Sequence, residues 1–596
     1  MAGAVLQALL AKSGKSLESL PRNTSVGKIL RRYGVRDTPE FQRILSLPRR
    51  VWQTDPDLPE LVALMTDWLR TPGGTMTLLP QQARALADIH DYNGMFGPIP
   101  VGEGKTIVSV LAGTVAEAKR PMLLLPAKLV DKTKRERDAL AKHWRIPENL
   151  IVESVEMLGS PKAGPELLQK HLPDIVIADE AHAFKNRRAA RTKRLLRYMD
   201  DTEFPDGSRP AFVPMAGTFL ESRVEDFSHL MARAMPAHMY PLPHNFNELR
   251  DWGDAVDDGV TQRIAAGALE QLVPPGGRKD LSGIRQALGR RIIETPGVVC
   301  VPGSDVKCSL SIDADEFDDY TPAVDEAFGL FAKGTTPDGW ELEDAIVAWM
   351  HKCQAALEYY SVWNPRPPKE WIRARSDWGK QCREILSNNR SEIDSEFQAA
   401  AAVSRGKYDD TYLKRWRAIK PTFTPNVEQV WFGDSYLNHM VRWLEKERGV
   451  VWVDHVPFGE RLAKAAGVPY FGAGGLDGRG NNIETWPGGP IVASIAANQE
   501  GRNLQNRWAR AYVTAPMGSS KEWEQLIGRF HRMGQRADTV EITVLLSCMA
   551  HVSCMYNACG KARMNTDMAQ RRKLVLADWL IPDTTHFAGK IGPRWS

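Results

Sequence analysis

"DIVIADEAHAFKN", Asp174 to Asn186, carries the reading that decides the fold. Ile175 to Ala178 are apolar without the alternation of a strand that has one wet face, so both faces should be covered. The run stops at Asp179 and Glu180. Two adjacent carboxylates directly after a buried run are poorly explained as a solvated surface. In open parallel sheets, ligands bind outside the carboxyl ends of the strands. An Asp there can hold Mg2+ through water, and a Glu beside it can orient and deprotonate an attacking water.

Two further buried-strand candidates flank this one, "PMLLLP" (121–126) and "AFVPMAG" (211–217), each followed by polar helical text. That alternation predicts a parallel sheet with helices on both faces. The same rhythm returns in "VVWVDH" (450–455), "PIVAS" (490–494), "AYVTAP" (511–516) and "TVEITVLL" (539–546). The expected fold class is therefore α/β with two such units. The expected boundaries are an accessory segment at 1–72, closed by Pro72-Gly73-Gly74, and a first α/β unit at 73–300. A helical insertion follows at 301–428, then a second α/β unit at 429–550 and a helical tail at 551–596.

A chain of 596 residues is too long for one core and suggests three or four domains. With 43% hydrophobic and 25% charged residues it reads as globular, and a net charge of +4 does not by itself point to nucleic acid. No apolar run reaches about 18 residues, and the first residues lack a signal-peptide cleavage pattern, so a soluble, cytoplasmic protein is expected. Seven cysteines without a CxxC pair do not make a disulfide framework. Cys548, His551, Cys554 and Cys559 could be a metal knuckle. The first three fall at helical steps and the usual close Cys pair is missing, which favours helix packing over zinc.

Upstream of the carboxylates lies "GPIPVGEGKT", Gly97 to Thr106. Gly102, Glu103, Gly104, Lys105 and Thr106 stand between a short strand candidate and a helix start, where backbone N–H groups favour phosphate oxygens. Lys105 would reach the β and γ phosphates, and the Thr106 hydroxyl would hold Mg2+. Ile99 stands where a small residue is usual. The loop alone also reads as a glycine turn before a helix. Asp179 and Glu180 downstream shift the reading to a nucleotide site.

Taken together, these stretches resemble a known family. "DEAH" resembles the Walker B motif of superfamily-two helicases, and the trailing Lys185-Asn186 is similar to the Swi/Snf-type branch. "LLPQQ" (78–82) resembles the Q motif, with Gln82 in the place that reads adenine. "LLLPAKLVDKTKRE" (123–136) resembles motif Ia with Thr133 for the usual Trp, and "ESVEML" (153–158) is similar to motif Ib. "MAGTFLESRVEDFSHLM" (215–231) resembles motif III with Phe219 for the common Pro. "ASIAANQEGRNLQ" (493–505) and "QLIGRFHRMGQ" (525–535) resemble motifs V and VI.

The resemblance covers about 75–310 and 430–545. It implies two RecA-like lobes that bind ATP and Mg2+ through Gln82, Gly102, Glu103, Gly104, Lys105, Thr106, Asp179 and Gly501. Arg529 and Arg532, three apart on an expected helix, would share a face with Gln525 one turn earlier. In the family such arginines reach across the cleft to the γ-phosphate and stabilise transition-state charge. Thr218, Ser494 and Asn503 take positions that couple nucleotide state to the strand.

For DNA, "KNRRAARTKRLLR" (185–197) is dense in Lys and Arg and has no acidic residue. Arg187, Arg191 and Arg194 recur at i, i+4 and i+7, a cationic helix face that could join Lys185 in tracking phosphates. The bland alternative is a solvated helix. Trp371, Trp378 and Trp416 lie among basic residues and could stack on bases, although Trp at helical spacing is more often core.

The resulting expectation is a DNA-stimulated ATPase, a translocase or helicase resembling the compact stand-alone bacterial or phage versions. It would act on duplex or forked DNA without sequence preference, as a monomer. An RNA helicase and a non-turnover clamp that uses ATP only as a switch remain the alternatives.

Overall fold

In the computed structural model, residues 34–596 are described, apart from 101, 218, 220–222, 302–305, 343–344, 389–392, 394, 500, 569–571, 581–589, 591 and 596 and the side chains of 388 and 578–580. The chain divides into two compact units, Met1–Gly303 with Arg563–Arg571, and Ser304–Ala562 with Arg572–Ser596. Each is a mixed α/β body with a parallel sheet. Among the described residues no helix is long and apolar enough to cross a membrane.

The first unit holds β1 (Pro121–Leu125), β2 (Ile151–Ser154), β3 (Ile175–Asp179) and β4 (Ala211–Met215), in the order β2-β1-β3-β4. β1 and β4 are buried along their whole length, as the unalternated apolar text requires. Successive residues point into opposite cores: Met122, Leu124, Val176 and Ala178 into one, Leu123, Leu125, Ile175 and Ile177 into the other. Beyond β4 the sheet continues in the run before the glycine loop. Gly97 N donates to Pro214 O at 3.0 Å and Ala216 N donates to Gly97 O at 3.0 Å. Gly97 permits this approach, since a Cβ there would lie 2.9 Å from Met215 Cγ.

The described part of the segment expected as accessory joins these cores. Phe41 and Ile44 enter one, with Phe41 edge-on to Trp252 at 5.8 Å, and Trp52, Met65 and Leu69 enter the other. The Arg50 guanidinium pairs with the buried carboxylate of Asp88 through both oxygens.

The second unit contains a six-stranded parallel sheet in the order β5-β12-β11-β8-β10-β9. Its strands are β5 (Ser309–Asp315), β8 (Val450–Val453), β9 (Tyr470–Phe471), β10 (Ile491–Ser494), β11 (Arg510–Val513) and β12 (Thr539–Leu545). The interval 301–428, expected as helical, thus opens with a strand that pairs with β12 from Ser309–Thr539 to Asp315–Leu545. "SLSIDAD" alternates and shows only Ile312 fully buried, so an edge strand gives too weak an apolar signal to stand out.

Within the same interval, β6 (Tyr359–Trp363) and β7 (Val427–Trp431) pair antiparallel. Between them, helices Lys369–Asn388, Glu396–Ser404 and Thr411–Ile419 share a core that contains Trp371, Trp378 and Trp416. The Trp378 indole N–H donates to Glu396 Oε1 at 2.8 Å, and Trp371 meets Trp416 edge-on at 5.2 Å. These three indoles are core, as helical spacing favours.

Cys548, His551, Cys554 and Cys559 are buried in, or just ahead of, the helix Met549–Asp567. Among the described residues no group of three or more His, Cys, Asp or Glu is placed to hold a metal ion. Trp378→Ala should cost about 3–5 kcal/mol of stability. Hydrogen exchange across 369–419 should rise with it, which a solvent-facing stacking residue would not cause.

Candidate active site

The loop and the paired carboxylates belong to strands that are not neighbours, because β4 lies between β3 and the run ending at Gly97. Lys105 opens the helix Lys105–Val115, and its ammonium closes the gap. Lys105 Nζ donates to Glu180 Oε1 at 2.6 Å and lies 3.6 Å from Asp179 Oδ1. Burial alone would lower the Lys105 pKa, but the two carboxylates outweigh it and hold the group charged. Glu180 is also buried, yet Lys105 and His182 keep its carboxyl well below the ordinary range. Asp179 is pushed above its ordinary value by burial and by Glu180, despite Lys105. Two carboxylates facing one ammonium leave an excess of negative charge, and a further cation would relieve it.

Backbone geometry supports this cluster. Gly102 and Gly104 have φ of 94° and 80°, the left-handed region that favours glycine. Glu180 shares that region at 54°, an uncommon conformation for a residue with a side chain and one that concentrates at functional sites. Its own N–H donates to Asp179 Oδ1 at 2.9 Å. His182 Nδ1 lies 3.1 Å from Glu180 Oε2 without hydrogen-bond alignment. Thr106 is the second residue of the helix and half-buried. Ile99 packs in the core with Val108 and Met215, which accounts for a large residue at that place.

Gln82 is buried and tied to the loop. Its Nε2 donates to Gly104 O at 3.1 Å, and its Oε1 accepts from Leu79 N at 2.8 Å. A Cβ on Gly104 would come within 2.2 Å of that Nε2. Gln81 Nε2 reaches Glu103 Oε2 at 3.4 Å.

A buried histidine that sequence reasoning did not single out joins the carboxylate turn to the next helix. His229 lies on Glu225–Ala234, and its Nε2 donates to Phe184 O at 3.0 Å, at the end of the turn Ala181–Phe184. Burial pushes its pKa down to about 4, so it is neutral there. The available signal was its place inside "EDFSHLM", four residues after the Glu that opens that helix.

The cationic face expected from Arg187, Arg191 and Arg194 does not form. Arg187 precedes the helix Ala190–Asp201 and lies over the Phe246 ring at 5.2 Å. Arg191 Nε donates to Ala183 O at 2.7 Å. Arg194 is 4% exposed and donates to Leu158 O and Ser160 O at 2.8 and 2.6 Å. Guanidinium donors satisfy buried carbonyls here, and spacing alone does not reveal that. Lys185 is exposed just after the carboxylate turn, and Thr218 lies outside the described residues.

In the second unit, Ser494 ends β10 and is buried, and Gly501 has φ of 73°. The helix Ser520–Ile527 stops at Gly528, so Arg529 and Arg532 sit on the following turns and share no helical face. Arg529 is buried and donates to Gln525 O at 2.9 Å and Arg502 O at 2.7 Å. Arg532 Nη1 donates to Asn503 Oδ1 at 2.7 Å. Gln525 Oε1 is buried and has no hydrogen-bond partner among the described residues. The two late motifs are therefore one bonded cluster.

No family model matches the chain, and no curated protein is significantly similar to it.

Lys105→Met should cost about 3 kcal/mol or more at neutral pH, because it leaves the buried Glu180 and the half-buried Asp179 carboxylates without the ammonium. Glu180 has a depressed folded pKa, so its contribution is present above its unfolded pKa and is lost as pH falls through the folded value. In the variant the part of that depression due to Lys105 is gone and the carboxyls bind protons more readily. The stability difference from the unaltered protein should therefore shrink as pH falls from 7 to 4, measured by denaturant unfolding.

Proposed function

We propose that this protein binds ATP with Mg2+ and hydrolyses it, and that turnover drives movement on DNA by two RecA-like lobes. The observation that carries the reading is the buried Lys105–Glu180–Asp179 cluster beside a glycine loop that caps a helix. The loop N–H groups and helix N-terminus suit phosphate oxygens. Lys105 would exchange part of its carboxylate pairing for the β and γ phosphates.

Thr106 and Asp179 offer the hard oxygen donors that Mg2+ takes, and the excess negative charge of the cluster fits a divalent cation. The bound ion would neutralise phosphate charge. Glu180 is ionised, and its basicity would rise as Lys105 turns to the phosphates, which suits it to accept a proton from the attacking water. Gln525, Arg529 and Arg532 take the charge-stabilising role that their motif implies.

DNA as the track rests on the series of motifs resembling the Swi/Snf-type branch, with Lys185, Ser494 and Asn503 as candidate contacts or coupling residues. The site of action would be the cytoplasm, of the host if the protein is viral.

The test is steady-state ATP hydrolysis by the purified protein, alone and with duplex, forked or single-stranded DNA or RNA. Strong stimulation by duplex or forked DNA is expected. Stimulation by RNA alone would move the assignment to an RNA helicase, and ATP binding without turnover on any of them would favour a clamp. Glu180→Gln should retain ATP binding and lose turnover by about 100-fold or more. Unchanged turnover in that variant would overturn the catalytic assignment.

A further inference from the structure

Within the second unit, Arg572, Lys573 and Leu574 meet both ends of the stretch that carries Arg529. At one end, Leu574 N donates to Glu524 Oε1 at 2.8 Å, and the buried Arg572 guanidinium opposes the charge of the same carboxylate. At the other end, Lys573 Nζ donates to the carbonyl of His531. Leu574 itself is buried in the same core as Leu526 and Phe530 of that stretch.

Glu524 lies in the last turn of the helix Ser520–Ile527, and His531 follows Arg529 by two residues. Between them the chain leaves the helix at Gly528 and is shaped by short turns. Where Arg529 and Arg532 point depends on that turn, and the carbonyl that Lys573 holds lies between them. A third point of attachment comes from His531 Nε2, which donates to Cys308 O at 2.9 Å. Burial raises the Glu524 carboxyl, while Arg572 and the Leu574 N–H pull it back.

We propose that Arg572, Lys573 and Leu574 form an intramolecular clamp that positions the Arg529–Arg532 turn, which makes Lys573 a positioning residue for turnover. This rests on the reading of the protein as an ATP hydrolase. Leu574 alone could be ordinary core. The Lys573 ammonium on a backbone carbonyl adds nothing apolar to that core and acts on the turn itself. A charge-assisted hydrogen bond of this kind is among the stronger ones available to a turn.

The test uses the full chain with Lys573→Met and Lys573→Arg. Hydrogen exchange over 524–535 reads the clamp without reference to catalysis, and kcat and KM for ATP read its consequence. Lys573→Met should speed exchange in the turn and lower kcat about tenfold, with KM for ATP within about twofold of the unaltered protein. Lys573→Arg should restore most of both, since it keeps a cationic donor.

Unchanged exchange and unchanged kcat in Lys573→Met would overturn the clamp. So would faster exchange throughout the unit with a lowered unfolding midpoint, which marks general destabilisation. If the unaltered protein hydrolyses no ATP under any condition, the hydrolase reading falls, and with it the role of Lys573 in turnover. The exchange comparison then decides whether the clamp itself exists.

Discussion

The Lys105 ammonium sits where the first unit would otherwise hold a buried and a half-buried carboxylate, Glu180 and Asp179, with no ammonium between them. Removing such groups from water costs several kcal/mol each, so the ammonium is a condition of the fold as well as a feature of the site. Its delivery depends on strand order. β4 separates the carboxylate strand from the run before the loop, a spacing of roughly 10 Å from one to the other. A long flexible side chain at the start of a helix can cross it. Gly102 and Gly104 turn the backbone so that the helix begins there, and Gln82 holds the turned carbonyl.

The second unit solves a different problem with the same economy of donors. Arg529 is pinned by two carbonyls, Gln525 O from the helix that precedes it and Arg502 O, and Arg532 is pinned by the Asn503 side chain. A planar guanidinium suits this, because its fixed donors can satisfy several acceptors at once while the charge stays intact. Arg502 in turn pairs with Glu484 at 3.1 Å. Positive charge is thus concentrated and oriented by a network rather than left on a mobile surface.

Arginine serves structure widely in this chain. Arg194 and Arg291 both lie buried and donate to backbone carbonyls, Arg291 to Leu47 O and Pro48 O. That is why a basic sequence pattern overstated the cationic surface near the carboxylate turn. The apolar text misled less. β1, β3, β4, β8, β10 and β11 form where unalternated apolar runs stand, because a strand covered on both faces has few polar positions to disguise it, whereas β12 alternates, with Thr539, Glu541 and Thr543 half-buried between buried Val540, Ile542 and Val544.

The sequence by itself determined the buried parallel strands, the glycine loop at a helix start and the carboxylates at a strand end. Each of these is local: a run of side chains or a backbone conformation written in consecutive residues. Only the tertiary structure decided that β5 completes the second sheet, that Trp371, Trp378 and Trp416 face inward, and that Arg194 is buried. It alone brought Lys105 to Glu180, His229 to Phe184 and Lys573 to His531. Those pairs are far apart in the chain, and the partner of a charged or hydrogen-bonding side chain is set by which elements pack together, not by spacing along one of them.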